Sequence, residues 1–212
     1  MKKYILFFIG FSLLFSCEKK ETLPDSGLCD SEYFYYSGGS KIYLKYYSLH
    51  NTWIEFEKNN ITKELAESII KTYPFIYDDF SLKNDYSNGS MFIINEKCNY
   101  KDFKNYLKVL NDDSEIFSAS PIFYFSDNDP GSYWVLVSEV LTKHNDELIS
   151  ESDFIDFAKT FNLELIKSKF YQHFRVKDVK TGFEALEIAN QIYESGKVEY
   201  SHPNFMMKLE LY

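Results

Sequence analysis

The order of strand-like and helix-like segments occurs twice along this chain, and this repetition restricts the fold more than any single motif. In the first half, an alternating strand pattern at Trp53–Glu57 is followed by a helical pattern at Thr62–Tyr73. Two further strand patterns lie around Phe75–Leu82 and Ser90–Asn95, and the turn signal Asn88–Gly89 lies between them. The first half therefore begins as strand, helix, strand, strand.

The first half ends with another helix and another strand. Asn99 and Asp102 form a helix-start signal, because an Asn side chain accepts a hydrogen bond from a backbone N–H group that the first turn leaves without a partner. Phe103 and Leu107 then fall on one helical face, and Ile116–Phe125 has the pattern of a strand.

The second half repeats this order of six segments. Ser150 and Asp153 mark the start of its first helix, and Thr181 and Glu184 mark the start of its second helix, which ends at Gly196. The strand patterns of this half lie at Tyr133–Leu141, at Leu163–Lys167, at Tyr171–Val176 and from Val198 onward.

The closing strands of the two halves are alike in sequence. When Ile116–Phe123 is set over Val198–Phe205, an aliphatic residue, a proline and a phenylalanine coincide. We therefore predict an α+β fold of two tandem ferredoxin-like βαββαβ units, rather than one larger mixed sheet. The units span residues 33–126 and 131–212, and the polar loop Ser126–Ser132 is the expected boundary.

The N-terminus carries an export signal. Two lysines precede the apolar run Tyr4–Phe15, which is too short to cross a bilayer as a helix. Ser16 and Cys17 follow, and a small residue before a cysteine is typical of a bacterial lipoprotein signal. We predict that residues 1–16 are removed as a signal peptide and that Cys17 is acylated. The alternative is a plain secretory leader with an incidental cysteine.

Residues 17–32 are polar and are predicted to be a lipidated N-terminus and tether. The lipid would hold the chain in the cell envelope, and the charged segment Glu18–Glu21 favours the outer membrane. Cys29 and Cys98 are the other two cysteines. In an exported protein they either form a disulfide or stay as two thiols, and the sequence leaves both open.

Charge and ligand patterns exclude several classes of function. The chain has 23 Lys and Arg residues against 32 Asp and Glu residues, hence a net charge of -9, which repels a phosphate backbone and makes nucleic acid an unexpected partner. The four histidines lack the spacing of a zinc site. The loop Asp127–Gly131 resembles a calcium loop, but Ser138 stands where the closing acidic ligand should be. We predict no metal, no cofactor and no catalytic residues.

Four segments resemble a known family. They are Tyr33–Leu44, Ser120–Phe123, Ala185–Gly196 and His202–Met206, and together they resemble the N-terminal prosegment of exported subtilisin-like serine proteases from Bacteroidetes, over roughly residues 33–207. In that family the prosegment precedes a catalytic domain, assists its folding and then blocks its cleft. This chain ends at Tyr212, just after the last prosegment strand, without a segment that could form the protease core.

The resemblance implies a non-enzymatic lipoprotein that binds a subtilisin-like protease in trans, as an inhibitor or a folding chaperone. The exposed face of a small sheet and the extended C-terminal strand would engage this protein partner. The tail alternates apolar side chains and ends in a carboxylate, so it could occupy a substrate cleft; a core strand that simply ends is the alternative. The candidate partner-binding residues are Phe205, Leu209, Leu211 and Tyr212.

Two other functions remain open at this point. An aromatic cluster at Tyr33–Tyr36, Tyr43, Tyr46 and Tyr47 would suit a glycan or another envelope protein if one strand face were exposed. The chain could also be a relic of a truncated protease gene. A pull-down separates protease binding from binding to a glycan or another envelope protein. The reading frame downstream tests whether the chain is a relic.

Overall fold

The computed structural model describes residues 28–77, 89–94, 99–126 and 131–208. Within these ranges the fold is α+β, as predicted, with ten strands and four helices. The elements of the first half are β1 (Leu28–Asp30), β2 (Phe34–Ser37), β3 (Ser40–Tyr43), β4 (Tyr46–Phe56), α1 (Lys63–Ile70), β5 (Gly89–Ile93), α2 (Tyr100–Asn111) and β6 (Ile116–Tyr124). Those of the second half are β7 (Tyr133–His144), α3 (Glu151–Lys159), β8 (Leu163–Ser168), β9 (Gln172–Val176), α4 (Glu184–Glu194) and β10 (Val198–Lys208).

The four strands of the second half form an antiparallel set around β7. This strand pairs with β10 and with β9, and β8 pairs with β9, which gives the order β10-β7-β9-β8. Helix α3 connects β7 to β8, and α4 connects β9 to β10. Helix α4 packs against β7 and β10, while α3 packs against β8, so both helices cover the same face.

The first half has a similar arrangement around β4. This strand pairs with β6 and with β5, and an isolated bridge between Ile76 and Ile94 lies where another strand is expected. The rest of that predicted strand, residues 78–82, lies outside the described residues. Helix α2 packs against β6 and β4.

The two halves share one sheet. Strands β6 and β7 pair at their facing ends, with Phe123 opposite Trp134, and this pairing completes an eight-stranded antiparallel sheet. One cluster of buried apolar side chains spans both halves, and in it the rings of Phe123 and Phe183 lie 6.5 Å apart. We predicted two units in place of one larger sheet; the strands nevertheless form a single sheet, because consecutive antiparallel strands pair at the junction.

The helix starts follow the sequence signals with one exception. Asn99 accepts a hydrogen bond from the N–H of Asp102, and Ser150 accepts one from the N–H of Asp153, as predicted. The prediction that Thr181 caps α4 is wrong. The residue before α4 is Phe183, which makes no side-chain cap, and the Glu184 carboxylate instead accepts hydrogen bonds from the backbone N–H groups of Lys180 and Thr181.

Strands β2 and β3 form a separate two-stranded hairpin that the sequence analysis did not predict. Strand β2 lies against α4 and β10 of the second half. The ring of Tyr36 stacks on Tyr193 at 4.3 Å, and the Asn190 amide donates a hydrogen bond of 2.8 Å to the carbonyl oxygen of Phe34. The β2–β3 hairpin therefore packs against the second half.

Strand β1 lies within the range that was predicted to be the tether. Leu28–Asp30 was assigned to the tether, but it pairs with β4 from Leu28 opposite Ser48 to Asp30 opposite Tyr46. The N–H of Ser31 then donates a hydrogen bond of 2.7 Å to the carbonyl oxygen of Lys45. These backbone bonds hold the chain to the edge of the sheet at that point.

Candidate functional site

The helices cover one face of the sheet, and the opposite face of the second half carries a partly exposed mixture of polar and apolar side chains. Strand alternation along β7 places Leu136 and Val140 in the core under the helices, so Glu139 and Leu141 point the other way. We name this surface the helix-free face. Its partly exposed members are Glu139, Leu141, Lys143, His173, Arg175, Tyr200, His202 and Asn204.

The Glu139 carboxylate organises the polar side of the helix-free face. Its Oε2 atom lies 2.8 Å from Nε2 of His173 and accepts a hydrogen bond of 2.8 Å from Nδ2 of Asn204. Because a carboxylate can only accept, the Nε2 atom of His173 carries the hydrogen. Nη2 of Arg175 lies 3.7 Å from Oε1 of the same carboxylate. Side chains from β9 and β10 thus contact one carboxylate on β7.

Arg175 joins the two halves of the molecule on this side. Its guanidinium carbon lies 4.7 Å from the ring centroid of Phe117 on β6, in cation–π geometry. Burial raises the pKa of the Glu55 carboxyl on β4, Arg175 opposes the rise, and Glu139 and Glu57 add to it. A carboxylate of the first half therefore lies within electrostatic reach of a cation of the second half.

Tyr200 and His202 form the less polar part of the helix-free face. Their rings stack with centroids 5.0 Å apart and planes within 12° of parallel. Burial lowers the pKa of the His202 imidazole below its ordinary 6.5, so this side chain is neutral at pH 7. Leu141 lies opposite His202 on one side and opposite His173 on the other. Together these side chains provide aromatic and aliphatic contact area.

A cleft of about 410 Å³ lies near the helix-free face, between the ends of β6 and β9. Charged side chains dominate its lining. Asp113, one of them, accepts hydrogen bonds from the Tyr73 hydroxyl and from the N–H of Glu115. A cleft lined in this way differs from the mainly apolar pockets that bind small molecules. The other charged side chains of the lining are Glu57, Asp112, Glu164, Arg175, Lys177 and Asp178.

The helix-free face carries one imidazole–carboxylate pair, formed by His173 and Glu139. Covalent catalysis by such a pair also needs a nucleophile within hydrogen-bond reach. Among the residues that the structure describes, no serine or threonine hydroxyl is bonded to His173. In the same residues, no three His, Cys, Asp or Glu side chains are grouped so that they could hold a metal ion.

The structure places one of the residues predicted to bind a partner. Phe205 lies on β10 on the helix side of the sheet, where its ring is 5.1 Å from Trp134 and 5.6 Å from Tyr35. It therefore packs inside the molecule and does not join the helix-free face. The other predicted residues, Cys17, Leu209, Leu211 and Tyr212, lie outside the described residues.

Sequence reasoning missed the residues of the helix-free face. The signal that could have found them is the alternation in β7 and β9, where Glu139, His173 and Arg175 occupy every second position among buried residues. Asn204 belongs with them because it follows Tyr200 and His202 at every second position of β10.

The aromatic cluster near the N-terminus is largely packed. Tyr33 stacks on Phe183 with ring centroids 4.5 Å apart, and Tyr36 stacks on Tyr193. Of the seven aromatic residues that the sequence singled out at positions 33–36, 43, 46 and 47, only Tyr43 is more than half exposed. One exposed ring is a smaller platform than the open strand face that the glycan hypothesis requires.

No helix in the described part of the chain is both long enough and apolar enough to span a bilayer. Comparison with protein-family models, with curated proteins and with solved structures finds no match for this chain.

Proposed function

We propose that this chain is a non-enzymatic, lipid-anchored protein that binds a subtilisin-like protease in trans, as an inhibitor or folding chaperone. The resemblance of four segments to the prosegment of such proteases motivates the choice of partner. The observation that carries the proposal is the helix-free face. This face is broad and partly exposed, and it combines aromatic rings, a leucine and charged side chains. Protein interfaces combine apolar and polar groups in the same way.

We further propose that the two halves are tandem ferredoxin-like units. The order β10-β7-β9-β8 with both helices on one face supports this for the second half. The pairing of β4 with β6 and β5, and the bridge beyond β5, support it for the first half. Pro121 and Pro203 stand five residues from the start of β6 and β10, in agreement with the aligned closing strands.

An inhibition assay with matched lysine variants tests the proposed surface. Lys167 lies on the exposed strand β8 opposite His173, whereas Lys159 lies on α3 on the other side of the sheet. We expect Lys167→Glu to weaken inhibition of a subtilisin-like protease by about tenfold, the effect of one unfavourable charge at an interface, and Lys159→Glu to leave it unchanged. Equal effects of the two variants would contradict docking on the helix-free face.

The tail hypothesis has a separate test. If the segment 209–212 occupies the substrate cleft, deleting it should abolish inhibition while binding through the sheet persists. Inhibition that survives the deletion unchanged would eliminate the tail as the inhibitory element. It would leave the helix-free face as the remaining candidate.

A further inference from the structure

Four large apolar side chains are left exposed at one end of the sheet. Ile42 is 37% exposed, Tyr43 57%, Phe125 43% and Met207 62%. Trp134 lies among them: its ring is 4.8 Å from that of Phe125, and its backbone pairs with that of Met207. We name these four side chains the end patch.

The end patch is continuous through the β2–β3 hairpin. Tyr35 pairs with Ile42, and its ring lies 6.1 Å from that of Trp134. Tyr43 pairs with Phe34 in the same hairpin. Phe125, Met207 and Ile42 therefore lie around one partly buried tryptophan, while Tyr43 alternates to the other face of the hairpin, beside Phe34.

The end patch lies at the end of the sheet near which the described chain begins. One row of paired residues crosses β4, β6, β7 and β10 at this end, and its members are Tyr46, Tyr124, Tyr133 and Lys208. Phe125 directly follows this row, and Met207 directly precedes it. Leu28 pairs with Ser48, two residues from the row.

The length of the segment before β1 limits which surface can meet an anchoring bilayer. Ten residues lie between Cys17 and Leu28, and a chain of that length spans at most about 36–40 Å when fully extended. The opposite end of β7, at His144, lies eleven residues from Tyr133, which is about 35 Å along a strand. The end patch is therefore within easy reach of an anchor at Cys17.

A second group of exposed apolar side chains provides a contrast at that opposite end. Phe170 is 77% exposed, Leu148 66% and Ile166 47%. The hydroxyl of Ser168 donates to Glu151 at the start of α3, which brings the β8–β9 turn beside the loop that carries Leu148. This group needs an almost fully extended segment to reach the same bilayer.

We propose that the end patch rests in the interfacial region of the bilayer to which the chain is anchored, and so fixes the orientation of the molecule on the membrane. This inference depends on the proposed acylation of Cys17. An orientation of this kind holds the far end of the second half, with the β8–β9 turn, away from the membrane, where a soluble partner can approach.

The composition of the end patch fits the bilayer interface. Tyr, Trp and Phe side chains are favoured at the level of the lipid head groups, and lysines can extend from there into water. Lys41 and Lys208 lie beside the patch, with the Lys41 ammonium 4.0 Å from the ring centroid of Phe34. Because the chain carries a net charge of -9, we expect apolar contact rather than charge to hold it to neutral lipid, with little dependence on salt.

Quenching of Trp134 by brominated lipid tests the orientation. The chain has two tryptophans, so Trp53→Phe leaves Trp134 as the only tryptophan whose emission is followed. The full lipidated chain is reconstituted into phosphatidylcholine vesicles brominated high on the acyl chain. We expect quenching of Trp134, and the double variant Phe125→Ser, Met207→Ser should reduce it by about threefold or more, because exposed apolar area is removed. Phe170→Ser, the matched control at the far end, should leave it unchanged.

Each alternative result overturns the proposal. Absence of quenching in vesicles that carry the chain contradicts contact between the end patch and lipid. An equal loss of quenching in the double variant and in Phe170→Ser contradicts it as well. A chain that does not sediment with vesicles contradicts the anchor itself. A dimer in detergent that the double variant abolishes assigns the patch to a second copy. Protease inhibition, measured on the same double variant, should be unchanged, which separates failure of this proposal from failure of the proposed function.

Discussion

Replacing Gly182 with alanine measures how closely the two halves are packed. Gly182 lies in the β9–α4 loop of the second half with φ of +77°, and a Cβ atom there would lie 2.2 Å from the carbonyl oxygen of Ala119 on β6 and 3.0 Å from Cα of Ser120. Both neighbours are backbone atoms in a strand, so neither can move without disturbing β6. The same Ala119 oxygen accepts a hydrogen bond from the Asn111 amide.

Two contributions set the size of the effect. A left-handed backbone conformation costs alanine about 1–2 kcal/mol, and forcing extra atoms into a packed site costs about 1–3 kcal/mol. We expect Gly182→Ala to lower the free energy of unfolding by about 3 kcal/mol, which lowers Tm by about 6–12 °C for a chain of this size. Urea unfolding followed by circular dichroism gives the free energy, and calorimetry gives Tm.

Gly196→Ala is the matched control for this substitution. Gly196 also has a left-handed backbone, with φ of +71°, but nothing lies within 4 Å of the Cβ position. It should therefore lose only about 1 kcal/mol, from the backbone conformation alone. If Gly182→Ala costs no more than Gly196→Ala, the close approach of the two halves at β6 is refuted.

Three further substitutions follow from contacts in the first half. In Gly89→Ala the new Cβ would lie 2.7 Å from the Trp53 indole nitrogen, so we expect a loss of about 1–3 kcal/mol and a shift in tryptophan fluorescence. Asn111→Ala removes both amide–backbone hydrogen bonds to Ala119, and chemical denaturation should report a loss of about 2 kcal/mol. Burial raises the pKa of the Glu55 carboxyl in the folded protein, so ionisation of Glu55 lowers the free energy of unfolding as pH rises above the pKa of the unfolded state. Glu55→Gln should therefore be more stable than the native chain at pH 7. This advantage should disappear towards pH 4, where Glu55 is protonated in both states.

Much of the fold could be predicted because local signals and tertiary packing agree in it. The helix starts at Asn99 and Ser150 have the predicted caps, and α4 ends at Gly196, whose φ of +71° suits a helix terminus. The strand from Val198 begins where the pattern places it. In these elements the hydrophobic period, the capping residue and the turn residue all indicate the same structure.

The parts that could not be predicted depend on contacts distant in the sequence. Leu28–Asp30 has little strand character of its own and is ordered by pairing with β4. Tyr36 belongs to a short polar-flanked hairpin, and its partner Tyr193 lies on α4. Arg175 and Phe117 meet only because the two halves share one sheet. No local pattern encodes such long-range pairings.

Lysine footprinting of the complex with a subtilisin-like protease tests the central claim most directly. The free and protease-bound chains are acetylated briefly, and modification is quantified at each lysine by mass spectrometry. Lys143 and Lys167 lie on the helix-free side, while Lys63 and Lys159 lie on helices of the opposite side. We predict that the protease slows acetylation of the first pair several-fold and leaves the second pair unchanged. Protection of the helix lysines instead, or of no lysine at saturating protease, would contradict the account.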